Sequence, residues 1–369
     1  MTFSEVLFNN SEKAIFALRG LYDSYGYSQY KMSKFEEYDL YVKNKDFLIS
    51  DGVITFTDRG GKLMALKPDV TLSILKNGKD KDGQVQKVYY NENVYRDFGD
   101  GFKEIMQVGL ECIGAIGYYD IYETLILAAK SLSLISENYV LDISSLAVVE
   151  DILVMAKLPK ERYSLAFKYI SEKNVHELKA LCREANLRES DTDLICSLIS
   201  LYGKPDDVMP KLEKIFKDEE THEFCEFKMM INALRESEVY GNLRIDFSVV
   251  HDINYYHGIV FKGFIEGIPS SVLSGGQYNL LVHKMGRNAW AIGFAIYLDK
   301  LERLNNEEKV YDFDTLLLYD DKDFANITEI AKAYALLSRN GSVMVRTNIP
   351  DKLKFKSIKK LTENGVIDV

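Results

Sequence analysis

Four separated segments carry the side chains best suited to chemistry. Asp69 and Thr71 follow Pro68, and Arg96 closes a strand-like run. Gln107 and Glu111 share one parity within Phe102 to Gly114, and the polar, aromatic stretch from His251 to Gly258 carries Tyr255 and Tyr256. A carboxylate beside a hydroxyl suits an α-ammonium group, and a guanidinium suits an α-carboxylate through a two-pronged contact. A second carboxylate with a tyrosine hydroxyl suits a donor-bearing ring such as imidazole. Each group also has a plainer role. Asp69 and Thr71 can cap a helix, Arg96 can pair with Glu104 or Asp97, and Gln107 and Glu111 can face water. His251 reads as a hydrogen-bonding residue rather than a catalytic base.

The elements that must position these groups follow from periodicity. From Ile105 onward the sequence alternates, so Met106, Val108, Leu110 and Cys112 point to a core while Gln107, Gly109 and Glu111 point the other way. Gly109 leaves room for something to lie against the backbone. Gln86 to Arg96 predicts the neighbouring strand, with Asp97 to Gly101 as the connection. Asp69 is placed to cap a short helix from Val70 to Lys76. Upstream, Glu12 to Tyr25 has helical spacing, with Ser11 as N-cap and Gly26 as terminator. Tyr27 to Tyr41 reads as extended. On a strand-like loop Tyr255 and Tyr256 face opposite ways, which sends one to the core and the other to the site.

Asp120 to Ser136 predicts a helix and Val140 to Ile143 a strand. From Ser145 to Glu238 the sequence turns to continuous helical periodicity with charged faces, broken by Pro159, Pro205 and Pro210. Strand character returns at Leu243 to Val250, Gly258 to Ile265, Ser271 to Leu273 and Trp290 to Ile296, with a helix near Tyr278 and another after the last strand. A polar run at Asn305 to Lys309 leads to a strand, helix, strand and basic tail.

Composition narrows the class. The 369 residues suffice for two or three modules, and 47% hydrophobic residues support a sizeable core. A net charge of −10 gives no field for nucleic acid. The four cysteines and five histidines are dispersed, so neither a metal site nor a disulfide framework is expected. No apolar run approaches the roughly 20 residues that span a bilayer, and no signal sequence is recognisable. The expectation is a cytoplasmic protein with no cofactor and no membrane association.

At this point the motifs acquire a family resemblance. Lys67-Pro68-Asp69-Val70-Thr71 resembles a substrate-binding segment of histidyl-tRNA synthetases, and Val94-Tyr95-Arg96 with Glu104 to Gly114 resembles their motif 2. Asp252 to Gly258 is similar to the histidine-specific loop, Ser274 to Asn279 to the GGGRYD segment, and Ala291 to Leu301 to motif 3. Tyr22 to Tyr41 matches the motif 1 dimer element, with Ser33 about where that motif has proline. The resemblance covers roughly residues 11–304, in order. It implies an α+β fold: a class II aminoacyl-tRNA synthetase-like core with a mixed, mainly antiparallel sheet flanked by helices. The corresponding divisions are core residues 1–144, a helical insertion at 145–240, core residues 241–306 and a short α/β segment at 307–369. It also implies L-histidine as ligand, held by Asp69, Thr71, Arg96, Gln107, Glu111, Tyr255 and Tyr256.

The departures lie on the nucleotide side. Phe98 stands where the synthetases hold adenine with a glutamate, and Lys103 where an arginine is common. His251 replaces the arginine that opens the histidine loop, Lys300 replaces the motif 3 arginine, and Tyr297 fills the place of a small residue. Adenylation needs planar cationic donors on a developing charge, and one such donor is worth roughly 2.7–4 kcal/mol. Lysine is not an equivalent fork, and histidine near neutral pH is often uncharged. About sixty residues follow Leu304, against about a hundred in the family's anticodon-binding module.

This combination resembles the synthetase-like regulatory subunits of ATP phosphoribosyltransferase. The resemblance implies a non-catalytic role in the first step of histidine biosynthesis. The partners would be the short-form catalytic subunit, activated in a hetero-oligomer built on a homodimer, and histidine as feedback signal; no nucleic acid is expected. The alternatives are a divergent amino-acid adenylating enzyme using Lys103 and Lys300, and a bridging protein that binds no small molecule.

Overall fold

The computed structural model describes residues 10–44, 52–78, 84–97, 101–250, 255–303, 311–320, 327–362 and 365–369. The expectations for Phe98 and for 251–254 lie outside these residues. In chain order the first elements are α1 (Asn10–Ser24), β1 (Ser28–Gln29), β2 (Phe35–Glu37), α2 (Tyr38–Lys43), β3 (Thr55–Thr57), β4 (Leu63–Leu66) and α3 (Thr71–Asn77). The long hairpin β5 (Val85–Asp97) and β6 (Phe102–Gly114) follows, then α4 (Tyr118–Ile135) and β7 (Tyr139–Ser145). A helical stretch comes next: α5 (Leu146–Met155), α6 (Tyr163–Ser171), α7 (Val175–Glu184), α8 (Glu189–Ser200), the two-residue β8 (Tyr202–Gly203), α9 (Pro205–Ile215) and α10 (His222–Arg235). The chain then returns to sheet with β9 (Leu243–Asp246), β10 (Ile259–Ile265), β11 (Leu273–Gln277), α11 (Asn279–Lys284), β12 (Trp290–Tyr297) and a 3-10 turn at Leu298–Arg303.

Nine strands form one sheet in the order β1-β5-β6-β12-β11-β10-β7-β9-β8. Only β1 with β5 and β7 with β9 run parallel, so the sheet is mixed and mainly antiparallel. One face is apolar. Val108, Leu110 and Cys112 of β6 pair with Ile296, Phe294 and Ile292 of β12, and all six side chains are buried. Leu18 and Tyr22 of α1 and Leu125, Ala129 and Leu132 of α4 join the same cluster. Burying each such aliphatic side chain stabilises the fold by roughly 1.5–3 kcal/mol. The cluster continues without a break into Val149 of α5, Leu178 of α7 and Phe227 of α10. The helical stretch therefore shares the core of the sheet rather than building one of its own.

Local details differ from expectation in instructive ways. Helix α1 begins at Asn10, so Ser11 lies within its first turn and its hydroxyl donates to the Leu298 carbonyl (3.3 Å). Gly26, at φ +80°, closes that helix, with its N–H on the Asp23 carbonyl and the Tyr27 N–H on that of Tyr22. The segment from Tyr27 is not uniformly extended: Tyr38–Lys43 is helical, and Tyr27 and Tyr41 are buried. Met106 is 37% exposed rather than in the core. The strand expected at 271–273 forms later, at Leu273–Gln277.

Residues 1–304 and 305–369 form two compact units. The second holds β13 (Phe313–Leu318), α12 (Ile327–Leu337), β14 (Val343–Arg346), β15 (Phe355–Thr362) and β16 (Gly365–Asp368). Its sheet order is β14-β13-β15-β16, so the expected basic tail is a hairpin strand pair.

Gly109 has no spare room. A Cβ there would lie 2.3 Å from the Phe294 carbonyl oxygen and 2.5 Å from the Tyr90 hydroxyl. The gap foreseen in the sequence is filled by Tyr90 of the neighbouring strand. The Gly109→Ala variant should lose roughly 1–3 kcal/mol of stability through overpacking. Urea unfolding reads this directly, and a variant as stable as the parent would refute the close packing.

Candidate functional site

The second face of the sheet is also buried: Val88, Ile113 and Ala291 join an apolar cluster with α3 and α11, and polar side chains are set among them. Gln107 is 4% and Glu111 2% exposed, so neither is a solvated strand residue. Tyr90 of β5, Gly293, Ala295 and Tyr297 of β12 and Ser274 of β11 share this face with them. Helix α3 and the loops at Tyr255–Tyr256 and Tyr278 cover it, enclosing a cavity lined also by Asp69, Thr71 and Arg96. All seven residues singled out from the sequence therefore border one space.

Glu111 is the most constrained of them. Its two carboxylate oxygens accept from Thr71 Oγ1 (2.8 Å) and from the Tyr278 hydroxyl (2.6 Å). Gly293 makes the position possible, since a Cβ there would lie 1.8 Å from Glu111 Oε2. Burial pushes the Glu111 carboxyl up from 4.5 to about 8, against the lowering effect of its two donors; the neighbouring Asp69 charge adds to the rise. Asp69 is also raised by burial, with the Leu72 N–H and the Arg96 guanidinium opposing. Its carboxylate accepts from the Leu72 N–H (2.8 Å), so it caps α3 as well as bordering the cavity.

Arg96 is buried and donates Nε to the Pro68 carbonyl (3.1 Å). It pairs with neither Glu104 nor Asp97; Glu104 instead accepts from the Tyr95 hydroxyl (3.0 Å). Arg96 and Gln107 both line the cavity, and the Arg96 guanidinium also acts on the Asp69 carboxyl. A guanidinium and an amide on a cavity wall can both donate to a polar ligand. Tyr255 is buried in the apolar cluster of this face, as expected of one of the pair, while Tyr256 is half-buried. Both line the cavity, with ring centroids 4.7 Å apart at 62°, and Tyr255 lies 5.8 Å from Tyr278.

Behind Gln107 stands a buried ion pair. Lys67 is fully buried and contacts Glu92 Oε2 at 3.0 Å, and Glu92 is the strand partner of Gln107. Burial lowers the Lys67 ammonium, with Glu92 opposing. Lys103 lies exposed at the outer end of β6 and is absent from the cavity lining. Lys300 donates to the Ser271 carbonyl (2.6 Å) and sits 4.6 Å from the centre of the Tyr297 ring. Tyr278, Tyr90, Ser274 and Tyr297 complete the cavity but were not named as ligands from sequence. Tyr278 lay within a recognised motif, yet its reach to Glu111 depends on how β11 and β12 pair.

The free room is about 40 Å3, well below the roughly 300 Å3 of an ordinary ligand pocket. Thr71 and Tyr278 each donate to Glu111 beside it, so a ligand donor would either share the remaining lone pairs of that carboxylate or displace one of these contacts. A larger cavity of about 230 Å3 lies between Trp290, Phe227 and Met230. Its size does not decide the matter: the convergence of buried polar groups marks the smaller one.

Comparison with known proteins fits this geometry. A family profile described as Histidyl-tRNA synthetase matches residues 5–301. The chain belongs to the histidyl-tRNA synthetase family. It is 27% identical to an ATP phosphoribosyltransferase regulatory subunit of Acetivibrio thermocellus, over 83% of this chain and 76% of that one. It is 25% identical to the regulatory subunit of Clostridium novyi, over 99% and 90%. Among solved structures, an ATP phosphoribosyltransferase regulatory subunit/histidyl-tRNA synthetase from Bacillus halodurans superposes with a TM-score of 0.74 at 20% identity, covering 98% of this chain and 99% of the other. A chain of the ATP phosphoribosyl transferase (HisG:HisZ) complex from Thermotoga maritima gives 0.62 at 21%, covering 79% and 98%. The fold is therefore that of class II synthetases of the histidyl type. Among the described residues no helix is long and apolar enough to cross a membrane, and no cluster of potential metal ligands occurs.

The raised Glu111 carboxyl carries a pH signature. Its folded value lies above its unfolded one, so its contribution to stability is complete below about pH 4.5 and is lost as pH rises through about 8. Relative to Glu111→Gln, the unliganded parent should lose stability steadily between those values. Urea midpoints across that range test it, and parallel curves for the two proteins would contradict the assignment.

Proposed function

We propose that this chain is a non-catalytic regulatory subunit of ATP phosphoribosyltransferase. It activates a short catalytic subunit in the first step of histidine biosynthesis and takes part in feedback by histidine. One observation carries the reading: a buried set of groups suited to a free amino acid survives, while a lysine stands at the motif 3 arginine position and is engaged within the fold. Lys300 is engaged by a backbone carbonyl and a tyrosine ring. Lysine there would in any case be a poor substitute for a guanidinium fork. The relatives named as regulatory subunits support the same reading.

In this reading the α-ammonium of L-histidine sits against Asp69 and Thr71, and its carboxylate meets Arg96 and the Gln107 amide. The imidazole N–H replaces an internal donor on Glu111, beside Tyr255 and Tyr256. Charge-assisted bonds of this kind are worth roughly 1.5–3 kcal/mol each. The protein works as a homodimer within a hetero-oligomer, with catalysis in the partner.

Titration calorimetry should show L-histidine binding, weakened at least roughly tenfold by Glu111→Gln or Arg96→Lys, about 1.4 kcal/mol or more. Addition to a short catalytic subunit should raise its turnover, and ATP–pyrophosphate exchange should stay at background. Histidine-dependent exchange would favour the adenylating alternative, and failure to stimulate the catalytic subunit would reject the regulatory role.

A further inference from the structure

We infer that Tyr297 is the residue that restricts the cavity to amino acids with an unextended carboxylate. The inference rests on the orientation of the amino acid just described. Gln107 and Glu111 are four residues apart on β6, roughly 13 Å along the strand. Glu111 marks the ring end of the cavity and Gln107, with Arg96, the carboxylate end. Tyr297 is the last residue of β12 and the strand partner of Gln107, so its ring stands at the carboxylate end and lines the cavity there.

The ring is held at two points. Its hydroxyl bonds Ser274 Oγ on the adjacent strand at 2.9 Å. The Lys300 ammonium lies 4.6 Å from the ring centre and is itself fixed by the Ser271 carbonyl at 2.6 Å. A half-buried ring braced through its hydroxyl and by a cation on its face has few alternative positions. A carboxylate alone fits in front of it. An amide, ester or mixed anhydride places new atoms along the sheet where the ring already is. Tyr297 is thus a wall that selects by exclusion, with Ser274 and Lys300 as the residues that position it.

The test compares L-histidine with L-histidine benzylamide, whose carboxyl is extended by one ring, by calorimetry on the full-length chain. The parent should favour L-histidine by at least roughly 100-fold, a preference that steric exclusion can supply. Tyr297→Gly should reduce that ratio to roughly tenfold or less, while Tyr297→Phe, which keeps the ring, should preserve it. A ratio unmoved in Tyr297→Gly, with folding verified by its melting transition, would overturn the inference and leave histidine recognition standing. Equal affinity of the parent for both compounds would also overturn it. If the parent binds no L-histidine, the functional reading fails and the inference with it.

Discussion

A carboxylate buried on the face of an antiparallel sheet sets the terms for everything around it. Moving such a group out of water costs several kcal/mol unless donors replace the lost solvent. Glu111 has two, and they come from segments far apart in the chain: Thr71 at the start of α3 and Tyr278 after β11. The side chain also needs a hole in the neighbouring strand, which Gly293 supplies. One interaction therefore ties together α3, β6, β12 and the turn into α11. The raised Glu111 carboxyl shows that the two donors only partly offset the burial.

The cavity offers both signs of charge: Asp69 and Glu111 supply acceptors, while Arg96 and Gln107 supply donors. That polarity matches a zwitterion with a donor-bearing ring. Beyond Arg96 and Gln107, an aromatic ring occupies the sheet face and a lysine packs on it. A site that captures an amino acid and one that joins it to a nucleotide differ chiefly in what lies past the carboxylate. In the proposed orientation that space holds the Tyr297 ring, with its hydroxyl on Ser274 and Lys300 on its face.

Much of this was legible before any fold was known. The alternation of β6 marked Val108, Leu110 and Cys112 as core, since period two survives wherever one face is fully covered. Asp69 was recognisable as a cap because caps are local. Met106 misled because alternation fixes which face a side chain takes but not how fully that face is covered. Tyr38–Lys43 misled because its tyrosines suit strands, yet their burial depends on distant packing that outweighs weak local preference. Tyr255 went to the core as one of the pair was expected to, yet it also lines the cavity, because here the apolar cluster and the cavity share a wall.

The sequence by itself determined which side chains were present, the period of the strands, and the order of motifs that identified the family. Those are properties of neighbouring residues or of a linear pattern. Only the tertiary structure decided that the polar face of β6 is enclosed, that Tyr278 donates to Glu111 across 167 positions, and that Lys300 rests on Tyr297 and a carbonyl. Strand order and register set these contacts. A register is chosen by the summed burial of whole faces rather than by any short stretch of chain.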